Sequence, residues 1–223
     1  MAREIDAARD AAVRAGQYLR CKLDHVEDIQ FKGTRDLVTE ADKESERMII
    51  SALREAFPQY GILAEESGVV APVGLERSVG RARELPDASA REAKAPDGPE
   101  AMWIVDPLDG TTNFAHGLGI FSVSIALARG GAPTVGVVYD PSRDELFWAE
   151  AGSGAYLNGR RIHVSSTNTL LHSMLVTGFA YDVATTENDN LDHFSHFVKR
   201  AQAVRRLGSA ALDMCNVACG RFD

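Results

Sequence analysis

The stretch Trp103-Ile104-Val105-Asp106-Pro107-Leu108-Asp109-Gly110-Thr111-Thr112-Asn113-Phe114 decides how this chain is read. Its opening residues are apolar and read as a buried strand, and two acids three positions apart follow. Pro107 fixes its own φ and offers no backbone donor, so the strand is expected to end there. Two carboxylates at a strand end, with a carbonyl between them, are hard oxygen donors that suit Mg²⁺. Gly110 lets a phosphate approach the backbone, and Thr111 can orient a water or a phosphate oxygen. An Asp-Gly pair alone is more often a turn. A turn, however, needs neither the two hydroxyls nor the amide that come next. Rival motifs fail: a calcium loop opening at Asp106 would place its last acid at Gly117. A phosphoaspartyl site of the haloacid dehalogenase type wants acids two apart, and the chain holds no Walker loop and no Gly-x-Ser-x-Gly elbow.

Upstream, Gly61-Ile62-Leu63-Ala64 is a second apolar run, and it delivers Glu65 and Glu66. Residues 40–56 read as a helix, with Thr39 as N-cap, Glu40 and Asp42 in the first turn and Pro58 as the stop. Ala41, Ser45, Ile49, Ala52 and Phe57 drift along its inner face. If the strands that end at Glu65 and Val105 are neighbours, their acids meet at one edge of a sheet. Converging carboxylates repel, and burying them unpaired is costly, so a divalent cation between them is the expected resolution.

Residues 3–23 read as a helix with Ile5, Ala8, Ala12, Ala15 and Leu19 on one stripe. Pro72, Pro86, Pro96 and Pro99, half of the eight prolines, fall in 68–100, which reads as an exposed insertion with a short helix near 77–85. Strands follow at 121–127, 134–139 and 145–149, with Gly130-Gly131 between the first two. Asn158-Gly159 is the strongest hairpin signal, between 155–157 and 160–164. A strand at 174–179 and helices at 188–201 and 208–219 complete an α+β pattern of packed layers.

The chain has 223 residues and a net charge of −8, which disfavours nucleic acid and anionic membrane as direct partners. No apolar run approaches the ~20 residues of a membrane span, and the charged N-terminus reads as no secretory signal. Three cysteines, Cys21, Cys215 and Cys219, make no disulfide framework. The expected setting is the cytoplasm. His193 and His196 read as an ordinary helix face, and Arg205-Arg206 as a solvated pair.

With Asp36 to Asp42, Ala64 to Ser67, Asp106 to Phe114, Gly119 to Ile125, Gly152 to Gly159 and Gly208 to Ala211, the chain resembles the inositol monophosphatase family of Mg²⁺-dependent, lithium-sensitive phosphatases. The resemblance implies a layered αβαβα sandwich, one domain over 1–223, and a homodimer. It implies that Glu65, Asp106 and the Leu108 carbonyl hold one Mg²⁺ and that Asp106 and Asp109 share a second. Glu65 and Thr111 would orient the attacking water, with Asp42 behind it, holding Thr111 or a further metal, and Lys32 near the site. Leu108, Asp109, Gly110 and Thr111 would cradle the phosphate, and Asp109, Gly208, Ser209 and Ala210 would meet the substrate alcohol. Family chains continue past the position of Asp223, into a Trp-Asp pair that completes the second metal, so the sequence reads as C-terminally truncated. The implied substrate is inositol 1-phosphate. Alternatives are another polyol or sugar phosphate, histidinol phosphate or a nucleotide phosphate, or a non-catalytic partnership with the transcription machinery.

Overall fold

A computed structural model describes residues 3–23, 30–31, 37–73, 101–187 and 189–223. In chain order the elements are α1 (Glu4–Lys22), β1 (Gln30–Phe31), β2 (Leu37–Val38), α2 (Glu40–Ala56), β3 (Gly61–Ala64), β4 (Gly68–Val70), β5 (Ala101–Asp109), α3 (Thr111–Ala115), β6 (Ser122–Arg129), β7 (Ala132–Asp140), β8 (Glu145–Glu150), β9 (Gly154–Leu157), β10 (Arg160–Arg161), β11 (Met174–Val176), α4 (Leu191–Val198), β12 (Ala203–Arg205) and α5 (Ala210–Ala218). A 3₁₀ turn at Leu170–His172 precedes β11.

Eight strands form the main sheet in the order β10-β9-β8-β7-β6-β5-β3-β4. Every neighbouring pair is antiparallel except β3 with β5. The antiparallel run follows from its turns: Gly130-Gly131 and Asn158-Gly159 all adopt positive φ, as tight hairpins require. On one face of the sheet, α1 lays down Ile5, Ala8, Ala12, Ala15 and Leu19, with Ile49 and Leu53 of α2 beside them. These meet Trp103, Val105, Ile125, Leu127 and Val137 of the sheet. On the other face Cys215 and Ala218 of α5 lie over Ser124, Ala126, Val138 and Phe147. Val217 of α5 faces Val176 and Val204 of the parallel pair β11–β12 and Phe194 of α4. The layers therefore run α1/α2, large sheet, α5, small sheet, α4: the αβαβα arrangement.

The stripe that α2 buries changes character along its length. Its first half buries Asp42, Ser45 and Glu46, and its second half Ile49 and Leu53. The apolar end holds the sheet, and the polar end lies where β3 and β5 stop.

The structure departs from several expectations. Strand β5 does not end at Pro107 but runs to Asp109, through a bulge in which Asp106 opposes Ser124 and Asp109 opposes Ser122. A bulge leaves one residue out of the ladder, so the missing proline donor costs no bond there. Nor is β5 buried on both faces: Trp103 and Val105 are buried, but Ile104 is 42% exposed. Strand β10 stops at Arg161, β11 stops at Val176, and α4 covers only Leu191–Val198. The first residues of the expected insertion, Gly68–Val70, pair with β3 as an edge strand. The proposed short helix near 77–85 lies outside the described residues. Phe114 and Phe121 are fully buried and meet edge to face at 5.1 Å between ring centres. Phe114→Ala is expected to cost about 3–5 kcal/mol, read from urea unfolding.

Candidate active site

Parallel pairing places Ala64 opposite Val105, so the next residues, Glu65 just past β3 and Asp106 within β5, stand side by side. The Glu65 amide extends the ladder by donating to the Val105 carbonyl at 3.1 Å. The two carboxyl groups stand close enough to act on each other. Burial pushes the Asp106 carboxyl up to about 8, and the Glu65 and Asp109 charges add to it. The Leu108 amide, donating to Asp106 Oδ1 at 3.1 Å, pulls the other way.

Helix α2 supplies the floor. Asp42 is buried, and its Oδ2 accepts from the Thr39 amide at 2.8 Å and the Thr39 hydroxyl at 2.6 Å. Burial raises the Asp42 carboxyl, while bonds from Thr39 and Thr111 oppose the rise. The Thr111 hydroxyl lies 3.2 Å from Asp42 Oδ1 and 3.0 Å from the Leu108 carbonyl. It has one proton for these two acceptors, so its lone pairs remain for a donor such as water. One turn along, the Ser45 hydroxyl donates to the Pro107 carbonyl at 2.9 Å. Glu46 accepts from the Glu66 amide at 2.8 Å and from the Ser67 hydroxyl.

Asp109 faces the start of α5. Its Oδ2 accepts from the Ser209 hydroxyl at 2.6 Å and the Ala211 amide at 2.7 Å. Its Oδ1 has one longer contact, 3.2 Å to the Ala210 amide. Gly110 (φ 99°) and Gly208 (φ 88°) abut: a Cβ on Gly110 would stand 2.9 Å from the Ile120 carbonyl and 3.3 Å from that of Gly208. Asn113 ties this junction together, donating to the Ile120 carbonyl at 2.8 Å and the Leu207 carbonyl at 2.7 Å. A cleft of about 710 Å³ opens from Glu65 and Asp109 past Ser209, Phe179, Arg206 and Asp213. The Arg206 guanidinium lies 5.6 Å from the Phe179 ring centre. Burial, with the Asp109 charge second, pushes Asp213 up to about 6.

The expected residues thus come together in two parts: Glu65, Asp106 and the Leu108–Thr111 turn with Asp42, and Asp109 with Gly208, Ser209 and Ala210. Among the described residues no three acidic, His or Cys side chains close a metal cage, and Asp109 lends most of its acceptor capacity to α5. The donor chemistry nonetheless fits a hard divalent cation. Glu65, Asp106, the Leu108 carbonyl and Asp109 are all hard oxygen donors, and a cation would offset the repulsion between the acids. Asp36 and Lys32 lie outside the described residues. His193 and His196 are exposed on α4, and Cys215 and Cys219 are free thiols, half-buried where full burial fits small core residues. Ser45, Glu46, Asn113, Arg206 and Asp213 went unassigned in the sequence. Ser45 and Glu46 stand three and four residues after Asp42, a helical spacing that puts all three on one face.

The raised Asp106 carboxyl has a sign that can be tested. Between about pH 4 and about 8 the folded chain holds a proton that the unfolded chain has lost. Without divalent cation, stability is therefore full below that window and falls as pH rises through it. Asp106→Asn is expected to flatten this slope and to raise the melting temperature at pH 8 in chelator, by about 2–4 °C per kcal/mol relieved. Thermal melts of both proteins across pH 4–9 check it.

Three comparisons bear on the geometry. The profile described as "Inositol monophosphatase family" matches residues 1–223. The chain is 43% identical over 220 residues to an inositol-1-monophosphatase of Synechocystis sp., covering 98% of this chain and 68% of that protein. It is 38% identical to a Nus factor SuhB of Pasteurella multocida, covering 98% and 74%. The solved inositol monophosphatase of Anabaena (Nostoc) sp. superposes with a TM-score of 0.77 at 43% identity, over 98% of this chain and 72% of that one.

Proposed function

The chain belongs to the inositol monophosphatase family, a family of phosphoric monoester hydrolases, and from that premise we propose that it hydrolyses inositol 1-phosphate to inositol and phosphate with Mg²⁺. The observation that carries this reading is the pair Glu65 and Asp106, brought together by the parallel pairing of β3 and β5, with the Thr111 hydroxyl whose proton is claimed by Asp42 and Leu108. Glu65, Asp106 and the Leu108 carbonyl would hold one Mg²⁺, and Asp106 with Asp109 a second. When bound there, Mg²⁺ supplies acidified water and offsets the charge of the phosphate and the leaving oxygen.

The chain's own groups do the rest. Glu65 and the lone pairs of Thr111 accept from the attacking water and hold it on the phosphorus side of the cleft. Asp42 keeps the Thr111 proton turned away, so that the hydroxyl acts as acceptor. The Leu108–Thr111 turn, opened by Gly110, takes the phosphate. Asp109, Ser209 and Ala210 meet the alcohol that departs as the ester P–O bond breaks. No helix among the described residues is long and apolar enough to cross a membrane. The same reading takes a homodimer in the cytoplasm, on the resemblance and the composition respectively.

Relatives named Nus factor SuhB favour a second reading, in which the chain also partners the transcription machinery without catalysis. Recovery of no transcription factor by tagged Asp106→Asn protein would count against it.

Phosphate release from inositol 1-phosphate, titrated with Mg²⁺ and set against histidinol phosphate and nucleotide phosphates, tests the first reading. Turnover is expected to need Mg²⁺ and to fall more than about 100-fold in Asp106→Asn, beyond what loss of an outer-shell partner costs. Preference for another phosphate would overturn the substrate, and turnover in chelator would overturn the metal.

A further inference from the structure

We propose that Glu46 is a positioning residue: a buried carboxylate that clamps the turn after Glu65 and so sets where the acid of β3 meets the acid of β5. The inference rests on the reading above, in which Glu65 works at the site. Apolar packing of β3 ends at Ala64, which is 3% exposed. Beyond it Glu65 and Ser67 are exposed and Glu66 half-buried in the turn before Gly68 reverses the chain into β4. Glu46, at 2% exposure, reaches it from α2 with both oxygens: Oε2 accepts from the Glu66 amide at 2.8 Å and Oε1 from the Ser67 hydroxyl.

Burying a carboxylate is expensive, and holding a solvent-facing turn does not by itself require one. The position of the clamp explains it. Glu65 is pinned on its N-terminal side through its own amide to Val105, in the strand that carries Asp106. On its C-terminal side it is pinned through Glu66 to the helix that carries Asp42. The adjacent Ser45 holds the Pro107 carbonyl of β5 at 2.9 Å. Consecutive residues of one rigid helix thus grip the two strand ends whose acids must sit at a fixed separation.

The test uses Mn²⁺ as the probe of the acidic site, its binding read by electron paramagnetic resonance, on the full chain and on Glu46→Ala, Glu46→Asp and Glu46→Gln. Folding of each is checked by circular dichroism and melting. Ala removes both bonds and Asp shortens the reach. Gln keeps a carbonyl for the Glu66 amide and an amide to donate to Ser67. Mn²⁺ affinity is expected to weaken about 10-fold in Ala and Asp. In the same two variants kcat for phosphate release is expected to fall with KM held within about twofold, while Gln stays near the parent in both. Parent-like Mn²⁺ affinity in a folded Ala or Asp variant would overturn the proposal. So would a Gln variant as impaired as Ala, which would assign the effect to buried charge rather than held geometry. Should Ala not fold, Asp decides alone. If the substrate assignment is wrong, the parent releases no phosphate, and the Mn²⁺ arm still reads the clamp.

Discussion

Two carboxyl groups that repel each other when ionised are held side by side where β3 ends and β5 enters its bulge. Nothing in Glu65 or Asp106 alone creates that contact. The parallel register, Ala64 against Val105, creates it, and it is the one parallel pairing in an otherwise antiparallel sheet. Parallel neighbours send their chain ends the same way, so two acids that follow two apolar runs must converge. The remaining parts of the site accommodate that convergence: α2 lies beneath with its own acids, the bulge turns Asp109 outward, and α5 arrives to meet it.

Helix α2 shows how a structural element and a functional one can be the same object. Its apolar half is bound to the sheet through Ile49 and Leu53. That anchoring lets its polar half hold Thr111, Pro107 and the Glu65 turn as fixed points. Desolvating Asp42, Ser45 and Glu46 is tolerable because each finds a hydrogen-bond partner. A core made only of hydrocarbon would pack as well and position nothing.

Much of this was legible from residue order. The helical stripes of α1 and α2, the glycine and Asn-Gly hairpins, and the acids at two strand ends all carry their signal within a few neighbours. Glu65, Asp106 and the Leu108–Thr111 turn fall together because strand adjacency was inferable from the apolar runs. What stayed hidden depends on partners distant in sequence. Pro107 reads as a stop, and only the pairing with β6 reveals a bulge that tolerates it. Glu46 is one charged residue among several on α2 until the Glu65 turn is folded against it. The bonds of Asp109 to Ser209 and Ala211 span about a hundred residues, and no local pattern announces them.

The Gly110–Gly208 junction has a consequence for how the chain folds. Asn113 and Leu207 are bonded across 94 positions, and Asp109 and Ala211 across 102. Closing so long a loop is paid for in chain entropy before its contacts return anything, which orders such contacts late. The hairpins of the main sheet, by contrast, close over a few residues. The sheet and its two helices can therefore assemble while the junction of Asp109 with α5 is still unformed. Anything that binds only the docked arrangement of Asp109 would, by mass action, hold that last and most distant part of the molecule in place.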